Sequence, residues 1–124
     1  MTRINAGIKV QSLHYKHLLA EHREIIRIPN TVKSGKAVIK DLPKEFTLGK
    51  GHVKFFYNKL LFLKNRYIEI YEECLRRGYK PTNFIDAWEG VPNHLMKDWV
   101  PTDNTIFLLE ERISERLNSM NNGK

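Results

Sequence analysis

The sequence predicts an all-α protein: a compact single domain spanning residues 1–124, with three main helices joined by long loops. Apolar residues recur every three or four positions in three stretches, and no stretch has a convincing strand pattern. A chain of 124 residues can bury one hydrophobic core without staples. Its single cysteine, Cys74, excludes an internal disulfide and is typical of a reducing compartment.

The charge balance indicates a polyanionic partner. Lys and Arg total 21 against 14 Asp and Glu, for a net charge of +7. Such an excess favours nucleic acid first and an anionic membrane surface second, although solubility alone also explains several charges. No apolar run reaches the ~18 residues of a membrane span, and no hydrophobic signal region opens the chain. We therefore expect a cytoplasmic protein without a membrane partner.

The first predicted helix runs from about Leu13 to about Ile28, after an extended lead-in of residues 1–12, and Pro29-Asn30 is expected to bend or end it. At ~100° per residue, its apolar side collects Leu18, Leu19, Ile25 and Ile26, with His22 between them. The other side has Glu21 and Arg23 at its margins and collects His17, Ala20, Glu24 and Arg27. This polar face is either a functional surface or a solvated one with ordinary ion pairs.

A basic, irregular connection, residues 31–51, follows; it contains Lys33, Lys36, Lys40, Lys44 and Lys50. Such a loop is usually solvated, but beside a nucleic-acid site it would contact phosphates. The second helix, about His52 to Arg77, shows an apolar stripe of Val53, Phe56, Leu60, Leu63, Tyr67, Ile70 and Cys74. Gly78 is expected to stop it. The stripe predicts core residues, and Cys74 is one of them.

Residues 79–101 are irregular, and a final helix starts near Thr102 and Asp103, either of which could cap it. Its predicted buried face is Ile106, Leu109, Ile113, Leu117 and Met120. Arg112 and Arg116 stand four residues apart, off that stripe.

The motifs of several chemistries are missing from the sequence. His17 and His22 are five apart, which misses the spacing of a zinc-binding H-E-x-x-H helix, so we predict no metal site. No G-x-S-x-G elbow is present. The N-terminus remains as a nucleophile, since a small residue after Met1 permits methionine removal and exposes the α-amine of Thr2. With a reference pKa of ~7.7–8, such an amine is partly uncharged near neutral pH.

Several strings, in order along the chain, resemble a known family. They are Met1-Thr-Arg-Ile-Asn5, His17-Leu-x-Ala-Glu-x-Arg-Glu24 with Arg27, Leu48-Gly-x-Gly-His-Val53, Phe55-Phe-Tyr57, Lys59-Leu60, Phe62-Leu63, Arg66, Glu73-Cys-Leu-x-Arg-Gly78, and Arg112 with Arg116. The sequence is similar in these strings to the phage and viral pyrimidine-dimer DNA glycosylases with abasic-site lyase activity, the phage endonuclease V family.

The resemblance implies a catalytic pair, Thr2 and Glu24. The Thr2 α-amine would attack C1′ of the damaged nucleotide, displace the base and form an imine. Glu24 would stabilise positive charge at C1′ and serve in proton transfer, which leads to strand scission 3′ to the abasic site. Such chemistry needs no metal or organic cofactor.

The resemblance also implies six DNA-binding residues: Arg3, His17, Arg23, Arg27, Arg112 and Arg116. The expected partner is double-stranded damaged DNA, kinked and with a nucleotide displaced so that the amine reaches C1′. We expect a monomer in the cytoplasm of a bacterial or phage-infected cell, with access to DNA.

One departure concerns the end of the chain. Family members continue beyond the last helix into a tail rich in Trp and Tyr, whereas this sequence stops at Lys124. The resemblance therefore supports lyase chemistry better than selectivity for pyrimidine dimers, with Trp88 or Trp99 as candidate substitutes for the tail. The alternatives are another damaged or modified base, mainly abasic sites, a non-catalytic DNA-binding relative, or a basic domain that only contacts a protein or an anionic surface.

Overall fold

A computed structural model describes the backbone of residues 2–122 and the side chains of residues 2–119. In chain order the helices are α1 (Tyr15–Glu24), α2 (Arg27–Lys33), α3 (His52–Phe55), α4 (Leu60–Arg76) and α5 (Asp103–Asn122). Three short 3₁₀ turns cover Val10–Ser12, Ile85–Trp88 and Asn93–Leu95. No strand occurs among residues 2–122, so the all-α prediction is confirmed. None of the helices in this range is long and apolar enough to cross a membrane.

The first predicted helix is in fact two helices, α1 and α2, which meet at Ile25 and Ile26. Pro29 explains the break, because it has no amide hydrogen to donate to the carbonyl four residues earlier and its ring clashes with that carbonyl. The helix is therefore interrupted near Pro29, as expected, but the break lies at Ile25 and Ile26, before the proline, and not at residues 29 and 30. Pro29 is the third residue of α2, in the first turn, where amide hydrogens have no partner within the helix.

The N-terminal segment, defined as residues 2–8, is part of the core. Residues 2–5 have no regular secondary structure, as predicted, although a 3₁₀ turn follows at Val10–Ser12. Ile4 and Ala6 are fully buried and Asn5 is nearly so. Since this segment packs inside the domain, its backbone position is set by the helices around it.

The second predicted helix has the right buried stripe but is interrupted at residues 56–59. Phe55, Phe56 and Tyr57 are consecutive and all buried, whereas an unbroken helix would point them in directions ~100° apart. Of the other stripe residues, five are buried as predicted: Leu60, Leu63, Tyr67, Ile70 and Cys74. Val53 is only half-buried. The helix stops before Gly78, whose φ of 86° suits glycine.

Aromatic packing joins the two long connections to each other. Phe46, in the connection of residues 31–51, stacks on Trp99, in the connection of residues 79–101, with ring centroids 6.1 Å apart. Trp88 is only 4% exposed, and its Nε1 donates a hydrogen bond to the Leu60 carbonyl at 3.0 Å. Trp88 is therefore a core residue, which argues against its suggested role as a substitute for an aromatic tail.

The helix α5 begins as predicted. The Thr102 hydroxyl accepts the Thr105 amide at 3.1 Å, so Thr102 is the cap. On the predicted inner face Leu109 is buried, whereas three other members are only half-buried: Ile106, Ile113 and Leu117. Met120 lies outside the residues whose side chains are described.

Gly7 allows α5 to lie close to the N-terminal segment. Its φ is 81°, and a Cβ on it would lie 2.8 Å from Cγ1 of Ile106 and 2.9 Å from Cβ of Pro101. These distances are too short for a side chain. Glycine at this position therefore lets α5 approach the segment that carries Thr2.

Candidate active site

A cavity of about 360 Å³ opens between the N-terminal segment, α1 and α5. Five of the predicted site residues line it: Arg3, His17, Glu24, Arg112 and Arg116. They come from the beginning, the first helix and the last helix of the chain, so only the fold brings them together. The cavity has cationic side chains on two walls and a carboxylate on the third.

Glu24 and Arg27 both contact the N-terminal segment at Thr2 and Arg3. The backbone amide of Arg3, the residue after Thr2, donates a hydrogen bond to Oε1 of Glu24 at 3.0 Å. Nη1 of Arg27 lies 3.5 Å from the hydroxyl oxygen of Thr2. Because α1 ends at Glu24 and α2 begins at Arg27, the junction between these two helices holds the start of the chain.

A second cavity, of about 240 Å³, is lined by Thr2 and shares Arg3 and Arg112 with the first. Gly49 and Lys50 of the turn that precedes α3, and His52 and Val53 of α3 itself, complete it. Lys50, from the basic connection of residues 31–51, therefore lines a cavity together with Thr2.

His17 has a polar atom directed to no protein partner. Its Nδ1 is buried and has no hydrogen-bond partner among the described residues, which is uncommon in native structures. Burial first, and then the positive charges of Arg116 and Arg3 and the neighbouring His14, lower the pKa of His17. A neutral imidazole at the edge of this cavity can donate to or accept from a polar group of a ligand.

The cationic side chains of the cavity act on each other. Burial and the charge of Arg116 lower the pKa of Arg3, while Glu24 opposes the shift. Arginine nevertheless stays protonated at neutral pH, so Arg3, Arg112 and Arg116 concentrate positive charge. Such a concentration of guanidinium groups suits a phosphate, which arginine binds with two parallel hydrogen bonds.

Arg23 is the predicted site residue that the fold leaves apart. It is exposed on α1, and its Nη1 donates to the Leu19 carbonyl of its own helix at 3.3 Å. It lines neither of the two cavities described above. A contact with DNA would have to come from a strand that extends beyond them.

Sequence reasoning missed a buried ion pair under the cavity. Glu21 was placed at the margin of the polar face, yet it is 1% exposed. Its Oε2 accepts from Nε of Arg66 at 2.8 Å, and its Oε1 accepts from Nη2 at 3.1 Å and from Nδ2 of Asn5 at 2.9 Å. Helical spacing could not reveal this pair, because Arg66 lies on α4, a helix that is distant in the sequence.

A second residue whose contacts the sequence reasoning missed is His52. Its Nε2 accepts the Ile4 amide at 3.0 Å, and its Nδ1 faces the Thr47 carbonyl at 2.9 Å. An amide N–H can only donate, so Nε2 must be unprotonated and Nδ1 must carry the hydrogen. His52 thus holds the N-terminal segment as a neutral ring. The signal in the sequence was its place in the string Leu48-Gly-x-Gly-His-Val53.

The structure gives neither a reactive cysteine nor a metal site among the described residues. Cys74 is buried, and burial raises the pKa of its thiol, so it is a packing residue as predicted. Within the described part of the chain, no three His, Cys, Asp or Glu side chains are grouped so as to hold a metal ion.

A comparison with protein families identifies the family of the chain. A family model described as pyrimidine dimer DNA glycosylase matches residues 1–87, well over half of the chain. The matched part contains the N-terminal segment, α1, α2 and α4, whereas α5 with Arg112 and Arg116 lies beyond it. The chain belongs to the pyrimidine dimer DNA glycosylase family, a family of DNA-repair enzymes that act on DNA.

Proposed function

We propose that the protein is a DNA glycosylase with abasic-site lyase activity, in which the α-amine of Thr2 is the nucleophile and Glu24 is the catalytic carboxylate. The proposed substrate is a pyrimidine dimer in double-stranded DNA, the lesion in the description of the family. Methionine removal is part of the proposal, because Met1 would otherwise occupy the nitrogen of Thr2.

One observation carries the proposal: the 3.0 Å hydrogen bond from the Arg3 amide to Oε1 of Glu24. It fixes the carboxylate within one residue of the Thr2 nitrogen. A sugar carbon attacked by that nitrogen would therefore form its positive charge beside a carboxylate. Electrostatic stabilisation of this kind acts strongly when the group is already in position.

The glycosylase step begins with the lone pair of the Thr2 amine. The amine attacks C1′, and the bond between C1′ and the base breaks, with the base leaving with the bonding electrons and gaining a proton. Opening of the sugar ring then converts the adduct into an imine between C1′ and the Thr2 nitrogen. Glu24 stabilises the cationic character at C1′ and relays protons.

The lyase step is a β-elimination. Loss of a proton from C2′ expels the phosphate oxygen on C3′, and the strand breaks on the 3′ side of the abasic site. Water hydrolyses the imine and restores the amine. The protonated imine accepts the electron pair released at C2′, so the elimination needs no other electron acceptor.

The cationic side chains would hold the DNA for this chemistry. Arg3, Arg112 and Arg116 line the first cavity, and Arg27 lies against Thr2. Phosphates on either side of the displaced nucleotide would therefore meet guanidinium groups. Arg23 would contact the duplex farther out.

Borohydride trapping tests the proposal. Protein whose mass shows loss of Met1 is mixed with a duplex containing an abasic site and reduced with borohydride, and we expect a covalent protein–DNA complex. Thr2→Ala should still trap, since it keeps both methionine removal and the amine. Thr2→Leu should retain Met1 and trap poorly.

The absence of a covalent complex with processed protein would contradict the lyase proposal. It would instead favour a non-catalytic DNA-binding relative if the duplex is still bound. If trapping succeeds, cleavage of duplexes with ultraviolet, oxidised or modified bases decides between pyrimidine dimers and other lesions.

A further inference from the structure

We propose that His52 is a positioning residue for the nucleophile: its neutral ring anchors the Ile4 amide and thereby holds the Thr2 amine against Glu24. This inference rests on the proposed function, in which that amine attacks the sugar. Nothing in the sequence patterns assigned His52 such a role.

Three successive residues of the N-terminal segment are each held by a different partner. The Arg3 amide donates to Glu24, the Ile4 amide donates to Nε2 of His52, and the Asn5 side chain donates to Glu21. The bond to His52 joins the segment to α3, whereas the other two join it to α1. Loss of the His52 bond would remove one of the backbone bonds that fix this segment next to Thr2, while the bond from the Arg3 amide to Glu24 would remain.

The His52 ring is itself rigidly held. Its Nδ1–H donates to the Thr47 carbonyl, and the ring packs edge-on against Phe46 and Phe56 at centroid distances of 5.3 and 5.5 Å. The side chain is only 5% exposed. A group fixed in this way can transmit the position of α3 to the N-terminal segment.

Protonation would break the anchor. A protonated ring carries hydrogens on both nitrogens, so Nε2–H would face the Ile4 N–H. The charged groups around the ring are Arg3 from the N-terminal segment and Glu21 from α1. Lys50 and Arg112 line the second cavity together with His52. Burial and Arg3 lower the pKa of His52, while the Thr47 carbonyl and Glu21 oppose the shift. The anchor is therefore intact near neutral pH and is lost in acid.

The test compares three variants by the rate of borohydride trapping on a saturating abasic-site duplex between about pH 5 and pH 8. His52→Phe keeps an aromatic ring but loses both hydrogen bonds. His52→Gln can form both bonds and does not titrate. His22→Phe is the matched control, because His22 is also buried but bonds to the Thr82 carbonyl away from the cavities. Circular dichroism verifies that each variant is folded.

At about pH 7.5 we expect His52→Phe to slow trapping by roughly 10–100-fold, as for a misplaced reacting group, with duplex affinity unchanged within about twofold. His52→Gln should retain the rate.

The second readout is the acid limb of the plot of the logarithm of the trapping rate against pH. For the wild type its slope should steepen from about one to about two once His52 also titrates. For His52→Gln the slope should stay at about one. The proposal would be overturned if His52→Phe trapped at the wild-type rate, or if His22→Phe lost as much of the trapping rate as His52→Phe.

Hydrogen exchange of the Ile4 amide keeps this proposal separate from the proposed function. Its protection factor should fall in His52→Phe. In the wild type it should fall only once the pH is below about 6.5, the reference pKa of histidine, because burial lowers the pKa of His52. In His52→Gln it should not fall with pH. If the wild type does not trap at all, the lyase function fails and this measurement still decides the role of His52. Unchanged protection in His52→Phe would overturn it.

Discussion

Two glutamates of α1, three residues apart, have opposite surroundings. Glu21 is closed in: Arg66 and Asn5 donate three hydrogen bonds to its carboxylate, and it is 1% exposed. Glu24 accepts the Arg3 amide on Oε1 and otherwise faces a cavity walled by Arg112 and Arg116. One carboxylate belongs to the structure of the domain, and the other is available to a substrate.

The difference teaches that the neighbouring element, and not the helix that carries the residue, decides what a carboxylate does. Residues three apart on a helix share a face, so α1 alone treats the two glutamates alike. Glu21 meets a guanidinium from α4 that saturates it. Glu24 meets the backbone of the N-terminal segment and arginines of α5 that surround open space.

The largest expected effect is on catalysis at Glu24. Glu24→Gln keeps the shape and the acceptor for the Arg3 amide, so the fold should persist, but it removes the negative charge. We expect single-turnover cleavage of an abasic-site duplex to fall by roughly 10²–10⁴-fold, the range for a general acid–base group, with little change in duplex affinity.

The control for that experiment is Glu72→Gln, which makes the same charge change at an exposed position of α4. It should cleave at the wild-type rate. Unchanged cleavage in Glu24→Gln would remove Glu24 from the mechanism.

The next largest effect concerns stability at Glu21. Arg66→Met leaves a buried carboxylate without its ionic partner, and breaking such a pair by removing one member costs about 3–5 kcal/mol. Urea denaturation should show this loss in the free energy of unfolding. Arg76→Met is the control, because Arg76 is 64% exposed and its partner Glu73 keeps its bond to Arg77; there we expect a clearly smaller loss. Equal losses in the two variants would mean that Arg66 stabilises the fold no more than an exposed arginine whose carboxylate partner keeps a second guanidinium.

The smallest expected effect concerns the approach of α5, which forms the arginine wall around Glu24. Gly7→Ala forces a side chain into positive φ, at about 1–2 kcal/mol, and into contact with Ile106 and Pro101. Gly78→Ala has the same backbone strain, with φ of 86°, but no atom within 4 Å of the added Cβ. Both variants should lose stability in urea denaturation. Only Gly7→Ala should also weaken duplex binding, and equal binding by both would separate α5 from the DNA site.

The helical class and the buried stripe of α4 could be predicted because they depend on local periodicity. The breaks at Ile25 and at residues 56–59 could not be placed by periodicity. At the first, the proline effect acts four residues before Pro29. At the second, three consecutive side chains, from Phe55 to Tyr57, are buried by tertiary contacts.

The candidate site was predicted residue by residue from a resemblance, and the roles of Thr2 and Glu24 stay predictions. Their nearness is a feature of the fold, as is the separation of Arg23 from the two cavities. The Arg66 and His52 contacts escaped prediction, since they join residues 45 and 48 positions apart. No helical or strand period relates positions so far apart.

By itself the sequence determined that this protein is helical, which faces of its longest helices are apolar, and which strings place it in a family of DNA glycosylases. Tertiary structure alone decided that the N-terminal segment enters the core, that Glu21 is sealed by Arg66 while Glu24 stays open, and that α5 brings its arginines to the same cavity. The physical reason is that a local pattern sets the direction of a side chain relative to its own helix. What that side chain meets depends on which distant element packs against it.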